Sequence, residues 1–148
     1  MGLYSDTRTV SATRAQLKEM KEAQQKARNL VKQSGLTESV VKNTYASYGG
    51  AVLGLVFVAS TVASVAAGFI SLLTSLNAAE KSQVQSDIDN GYIEILETYT
   101  FILETSYVSC NMTLKVNKER PGAYGFAFIK SRVVNSFTTP GGQIALPN

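Results

Sequence analysis

The side chains that carry most enzyme chemistry are nearly missing from this chain. Its 148 residues include no histidine and no tryptophan, and Cys110 is the single cysteine. Zinc centres and Cys–His or Ser–His–Asp nucleophiles need residues that are not there. Glu94, Glu97 and Glu104 lie close in sequence, a grouping suited to acid–base work or calcium. On a strand, Glu94 and Glu104 would share a face and Glu97 would take the other. Calcium loops, phosphate loops, nucleophile elbows and dinucleotide fingerprints need fixed spacings of Gly, Asp, Ser or Lys, and none occurs. Cys110 falls in an alternating apolar run, where a thiol acts as a small hydrophobe, and a lone cysteine makes no intrachain disulfide. Asn111-Met112-Thr113 has the form of a glycosylation acceptor and reads as a chance occurrence. The glutamates read as solvated strand residues. The expectation is a non-enzyme with no cofactor, no metal and no small-molecule substrate.

Charge is distributed unevenly. Charged residues make up 17% of the chain, below the usual quarter or so, and none occurs in residues 43–79. A helix with one face in water places a charge there every turn or two, so this stretch must be hidden from water. Residues 1–48 hold eight basic and four acidic side chains. They lack the dense basic cluster and interleaved aromatics of a phosphate-tracking surface, and nucleic acid is not an expected partner. Residues 1–10 (MGLYSDTRTV) contain no apolar run of the kind a secretory signal carries, and Asp6 breaks the myristoylation pattern.

The elements follow from periodicity. Residues 12–34 read as an amphipathic helix, with Leu17, Met20, Ala23 or Gln24, Ala27, Leu30 and Val31 on one stripe. Ser11 or Thr13 is its N-cap and Gly35 lies just past its end. This helix suits a partner helix, or else an anionic membrane surface. Residues 36–48 form a shorter helix capped by Thr37, interrupted by Gly49-Gly50. Residues 51–76 then read as one apolar helix of roughly 39 Å, against a bilayer core of about 30 Å. Residues 77–91 continue it in polar form to a stop at Asn90-Gly91. From Tyr92 the period reads as 2: a strand to about Leu103, a turn at 104–106, and a second strand with Val108, Cys110, Met112, Leu114 and Val116 on one face. A turn at 118–122 leads to a third strand over 123–134, aromatic on one face through Tyr124, Phe126 and Phe128. A turn at 139–142 leaves 143–146 as a short edge strand. The fold class is therefore α+β: an N-terminal amphipathic helical region (1–48), a long apolar, transmembrane-type helix with a polar extension (49–90), and a three- to four-stranded antiparallel β-meander (91–148).

Within the apolar stretch the small residues are ordered. Gly50 and Gly54 make a GxxxG pair; Ala59, Ala63, Ala67, Ser71 and Ser75 recur every fourth residue; Ser60, Ser64 and Gly68 form a parallel ridge. Such ridges let helix backbones approach closely, so Gly50, Gly54, Ala59, Ser60, Ala63, Ser64, Ala67, Gly68 and Ser71 are the expected helix-packing residues. The sequence points to a self-assembling structural subunit, membrane-embedded or of filament or virion type, whose partners are copies of itself and a lipid bilayer. The alternatives are a holin-like, pore-forming effector and a bitopic anchor presenting a β-domain. For a single span, the basic residues ahead of the apolar stretch place the N-terminus in the cytoplasm.

Overall fold

The computed structural model describes residues 4–118 and 126–147. It is an α+β fold whose order is β1 (Tyr4–Thr13), α1 (Arg14–Leu30), α2 (Glu38–Tyr45), α3 (Gly50–Phe57), α4 (Val62–Ser75), α5 (Ala78–Leu103), β2 (Ser109–Lys118), β3 (Phe128–Thr138) and β4 (Ile144–Ala145). The four strands form one antiparallel sheet in the order β1-β2-β3-β4. The expected turn at 118–122 lies largely outside the described residues, as does Tyr124 of the expected third strand.

The local signals that end helices and strands behave as their chemistry requires. Thr13 caps α1 in a capping box with Gln16, each side chain bonding the other residue's N–H. Thr37 caps α2 by accepting from the Val40 N–H. Cys110, Met112, Leu114 and Val116 of β2 are all buried, as strict alternation demands. The Cys110 thiol is pushed up to about 11 by burial. Residues 139–142 turn with Gly142 at φ 84 and its N–H bonded to the Thr139 carbonyl.

Three elements differ from the periodicity reading. Residues 4–13 form a ten-residue strand paired along its whole length with β2, from Tyr4 opposite Lys118 to Thr13 opposite Ser109. Residues 92–103, read as a strand, are the second half of α5. Gly91 is a buried position in mid-helix, and the buried series Val84, Ile88, Gly91, Ile95, Thr98 and Ile102 has helical spacing. A side chain at Gly91 would collide with the Ile129 carbonyl of β3, so glycine there lets α5 lie directly on the sheet. Third, the apolar stretch is not one continuous helix. Gly50–Ser75 is long and apolar enough to cross a membrane, but Val58 ends α3 in the left-handed conformation at φ 63, and α4 restarts after its own N-cap, Thr61. A new cap at Asn77, in a capping box with Glu80, likewise separates α5 from α4.

The core lies between the helices and one face of the sheet. α1 contributes Leu17, Met20, Ala23, Ala27 and Leu30 and packs along α5, which in turn packs on β3. Gln24 is fully buried at this junction, and its Nε2 donates to the carbonyls of Ile88 and Ile129 at 3.3 and 3.1 Å. α2, α3 and α4 close the other end around Tyr45, Phe57 and Phe69, which with Phe126 form one aromatic cluster with ring centroids 4.9–6.3 Å apart. The Tyr45 hydroxyl donates to the Ala23 carbonyl at 3.0 Å, and burial pushes its pKa up. Arg14 ties the end of α5 to the sheet: Nη2 donates to the carbonyls of Ile102 and Thr105, and Nε donates to that of Tyr107. These charge-assisted bonds satisfy carbonyls that the helix end leaves open.

Candidate helix-packing surface

α3 and α4 sort their side chains by size. In α4, Val65, Ala66, Phe69 and Leu72 are buried, while Ala63, Ser64, Ala67, Ser71 and Thr74 are exposed. At 3.6 residues per turn the exposed set forms one continuous face. In α3, Val52, Leu53, Val56 and Phe57 are buried. A helix in contact with lipid turns bulky apolar side chains outward, whereas close helix contact uses small ones. The outer face of α4 is therefore shaped like a helix–helix contact surface. It is also cheap to desolvate. Thr74 Oγ1 bonds to the carbonyl of Ile70 at 2.8 Å, four residues back, and the Thr61 hydroxyl donates to Ser64 Oγ at 2.7 Å. Hydroxyls satisfied within their own helix need no water to replace.

The nine residues singled out by spacing divide into two groups. Ala63, Ser64, Ala67 and Ser71 come together on the outer face of α4, and Ser60 is exposed just ahead of it. The others serve the chain's own packing. Ala59 is 2% exposed. A Cβ at Gly50 would stand 2.7 Å from the Ser60 carbonyl oxygen, and one at Gly68 would collide with the Phe126 ring. Gly54 has open space at its Cβ position, and its carbonyl accepts from Arg8 Nη1 at 2.6 Å. The GxxxG pair thus stands at a junction with the α3–α4 connection and β1. Thr74 was not in the small-residue series, although its spacing of seven from Ala67 puts it on the same face.

Two of the three glutamates, Glu94 and Glu97, sit beside an arginine. Glu94 Oε1 accepts from the Arg132 N–H at 2.9 Å. Arg132 Nε donates to Thr98 Oγ1 at 2.6 Å, and Nη2 stands 3.9 Å from Glu97 Oε2. Glu97, Glu104 and Arg132 edge an open groove of about 660 Å³ between α5 and β3, floored by Phe101, Val134 and Phe137. Among the described residues, no group of three or more His, Cys, Asp or Glu side chains is placed to hold a metal ion. No protein-family model, curated protein or solved structure matches this chain.

Proposed function

We propose that the protein is a non-enzymatic assembly subunit that packs against copies of itself through the outer face of α4. The observation that carries this reading is the inversion of side-chain size on that helix: bulk inward, and Ala63, Ser64, Ala67, Ser71 and Thr74 outward without a charge. A solvated helix of 14 residues normally shows several Lys or Glu side chains, and α4 has none. Glutamate at both Ala63 and Ala67 tests the reading, because both sites are exposed and the monomer fold should tolerate the change. In sedimentation-velocity runs the wild-type chain is expected to form assemblies larger than a dimer, and the A63E/A67E variant to lose at least one step of assembly. An unchanged size distribution would remove the α4 face from consideration.

A second reading, insertion into a bilayer, is favoured by Val58. A β-branched residue in the left-handed region is strained, at a cost of roughly 1–2 kcal/mol. Separately, α3 (eight residues) and α4 (14 residues) span about 12 and 21 Å, too short for a core of about 30 Å. Rotation of Val58 and its neighbours into right-handed helix would join them into a single element of about 39 Å. Val58→Gly removes the strain and favours the break. Flotation with anionic vesicles should recover less of this variant than of wild type, and equal recovery would count against the joined helix.

A further inference from the structure

We propose a second self-contact, at the edge of the sheet: two copies pair β1 to β1, antiparallel, about a two-fold axis at Thr7, so that their sheets run on as one. It draws on the sheet edge and not on α4, and stands or falls separately. The two edges of the sheet are treated differently. On the far side β4 is two residues long, pairs with Phe137 and Thr138 and is followed by Pro147. The earlier part of β3's edge is taken up by α5, where Asn90 Nδ2 donates to the Lys130 carbonyl and Glu94 Oε1 accepts from the Arg132 N–H. Short strands, proline and a covering helix are how natural sheets discourage further pairing. The β1 edge is ten residues long, without proline, and its register with β2 runs from Tyr4 to Thr13 without a bulge. Among the described residues, β1 has β2 as its one strand neighbour.

The direction of its free groups is fixed by the ladder. Arg14 N–H donates to the Val108 carbonyl just before β2, whereas the N–H groups of Thr7 and Thr13 go to the side chains of Asp6 and Gln16. In an antiparallel ladder successive residues alternate in direction, so the odd-numbered residues Ser5, Thr7, Thr9 and Ser11 aim their N–H and C=O groups away from β2. Two-fold pairing of such an edge puts odd against odd. An axis at Arg8 would set two arginines face to face. An axis at Thr9 would set Asp6 against Ala12 and Arg8 against Val10. An axis at Thr7 sets Asp6 of each copy against Arg8 of the other, twice, with Ser5 opposite Thr9. Opposite charges directly across a sheet attract and like charges repel, which selects Thr7. Arg8 is already held in place, its Nη1 on the Gly54 carbonyl. Asp6 pairs through Oδ2 with Lys118 Nζ of its own chain at 2.9 Å and keeps a side chain 57% exposed; on pairing, its Oδ1 leaves the Thr7 N–H to the second copy's Thr7 carbonyl and turns to Arg8.

The test uses the full chain carrying A63E/A67E, so that loss of the α4 contact and loss of this one are read apart. Across the axis the two Thr7 Cα atoms stand about 5.5 Å apart, within the disulfide range of roughly 4.4–6.8 Å. The two Thr9 Cα atoms are separated by four residues of strand, about 13 Å. Native Cys110 is buried. Mild oxidation should therefore cross-link Thr7→Cys into dimers at least ten-fold more than Thr9→Cys, and equal or reversed yields would overturn the register. Thr7→Pro, without an added thiol, removes an N–H that makes no bond to β2 and should weaken dimerisation ten-fold or more while the circular dichroism stays native. A dimer as stable as the parent's would overturn the contact itself. Asp6→Asn should weaken it too; strengthening would show instead that Asp6 guards the edge.

Discussion

Gly91→Ala is expected to destabilise the protein by about 3 kcal/mol, although alanine is the better helix former by about 1 kcal/mol. The reason is where the new methyl group would go. It would run into the Ile129 carbonyl of β3 and come within 2.9 Å of Gln24 Nε2. The first obstacle is backbone, which yields only if α5 lifts from the sheet. Lifting would also break the two bonds by which Gln24 joins α1 to α5 and β3, and buried donors left without partners cost about 1–3 kcal/mol. Overpacking typically costs 1–3 kcal/mol by itself. Urea unfolding at neutral pH should show the midpoint falling with little change in slope. Gly54→Ala is the control: nothing stands within 4 Å of its Cβ position, and stability should hold or rise by up to about 1 kcal/mol. A Gly91→Ala protein as stable as wild type would contradict the direct seating of α5 on β3.

Phe69→Ala should cost about as much or more, roughly 3–5 kcal/mol. Phe69 is fully buried, and its ring meets those of Tyr45, Phe57 and Phe126. These four come from α2, α3, α4 and the segment before β3, so one deletion loosens four pieces of the fold. The cavity cannot close easily, because Phe126 already abuts the backbone at Gly68. Phe101→Ala is the comparison. That ring is 45% exposed and touches Tyr107 and Phe137 at the groove, so about 1 kcal/mol is expected. Similar losses at the two positions, measured by the same unfolding experiment, would show that the aromatic cluster is not the closely packed centre described above.

What could be read from the sequence was what depends on near neighbours. The Thr13 and Thr37 caps, the stripe of α1, the alternation of β2 and the turn at 139–142 each lie within a few residues of their cause. β1 was not legible, because its partners are about 100 residues away and its run of Thr, Ser and charged residues looks like a loop until Val10 and Ala12 are seen buried. Residues 92–103 misled for a different reason. Ile93, Ile95, Tyr99, Phe101 and Leu103 share a parity and are β-branched, aromatic or apolar, yet Ile93, Phe101 and Leu103 are about half exposed. The helical series through Ile95, Thr98 and Ile102 is the one that is buried. The break at Val58 carries no glycine, proline or asparagine to announce it. At the candidate surface the small residues were visible and their direction was not. A small side chain serves equally to admit a ring, as Gly68 admits Phe126, or to line an outer face, as Ala67 does; only the tertiary arrangement separates the two.

Pairing of the first strand with residues 109–118 also sets an order of events during synthesis. The charge-free stretch is made well before β3, which packs against α3 and helps to cover it. At roughly 5–20 residues per second, the chain between Leu76 and Lys118 takes about 2–8 seconds to appear. Throughout that interval the nascent chain displays an apolar segment of membrane length to whatever reads such segments, with its N-terminal strand still unpaired. The apolar segment is thus on display before the strand that closes over it exists, and anything that slows translation after Leu76 lengthens that exposure.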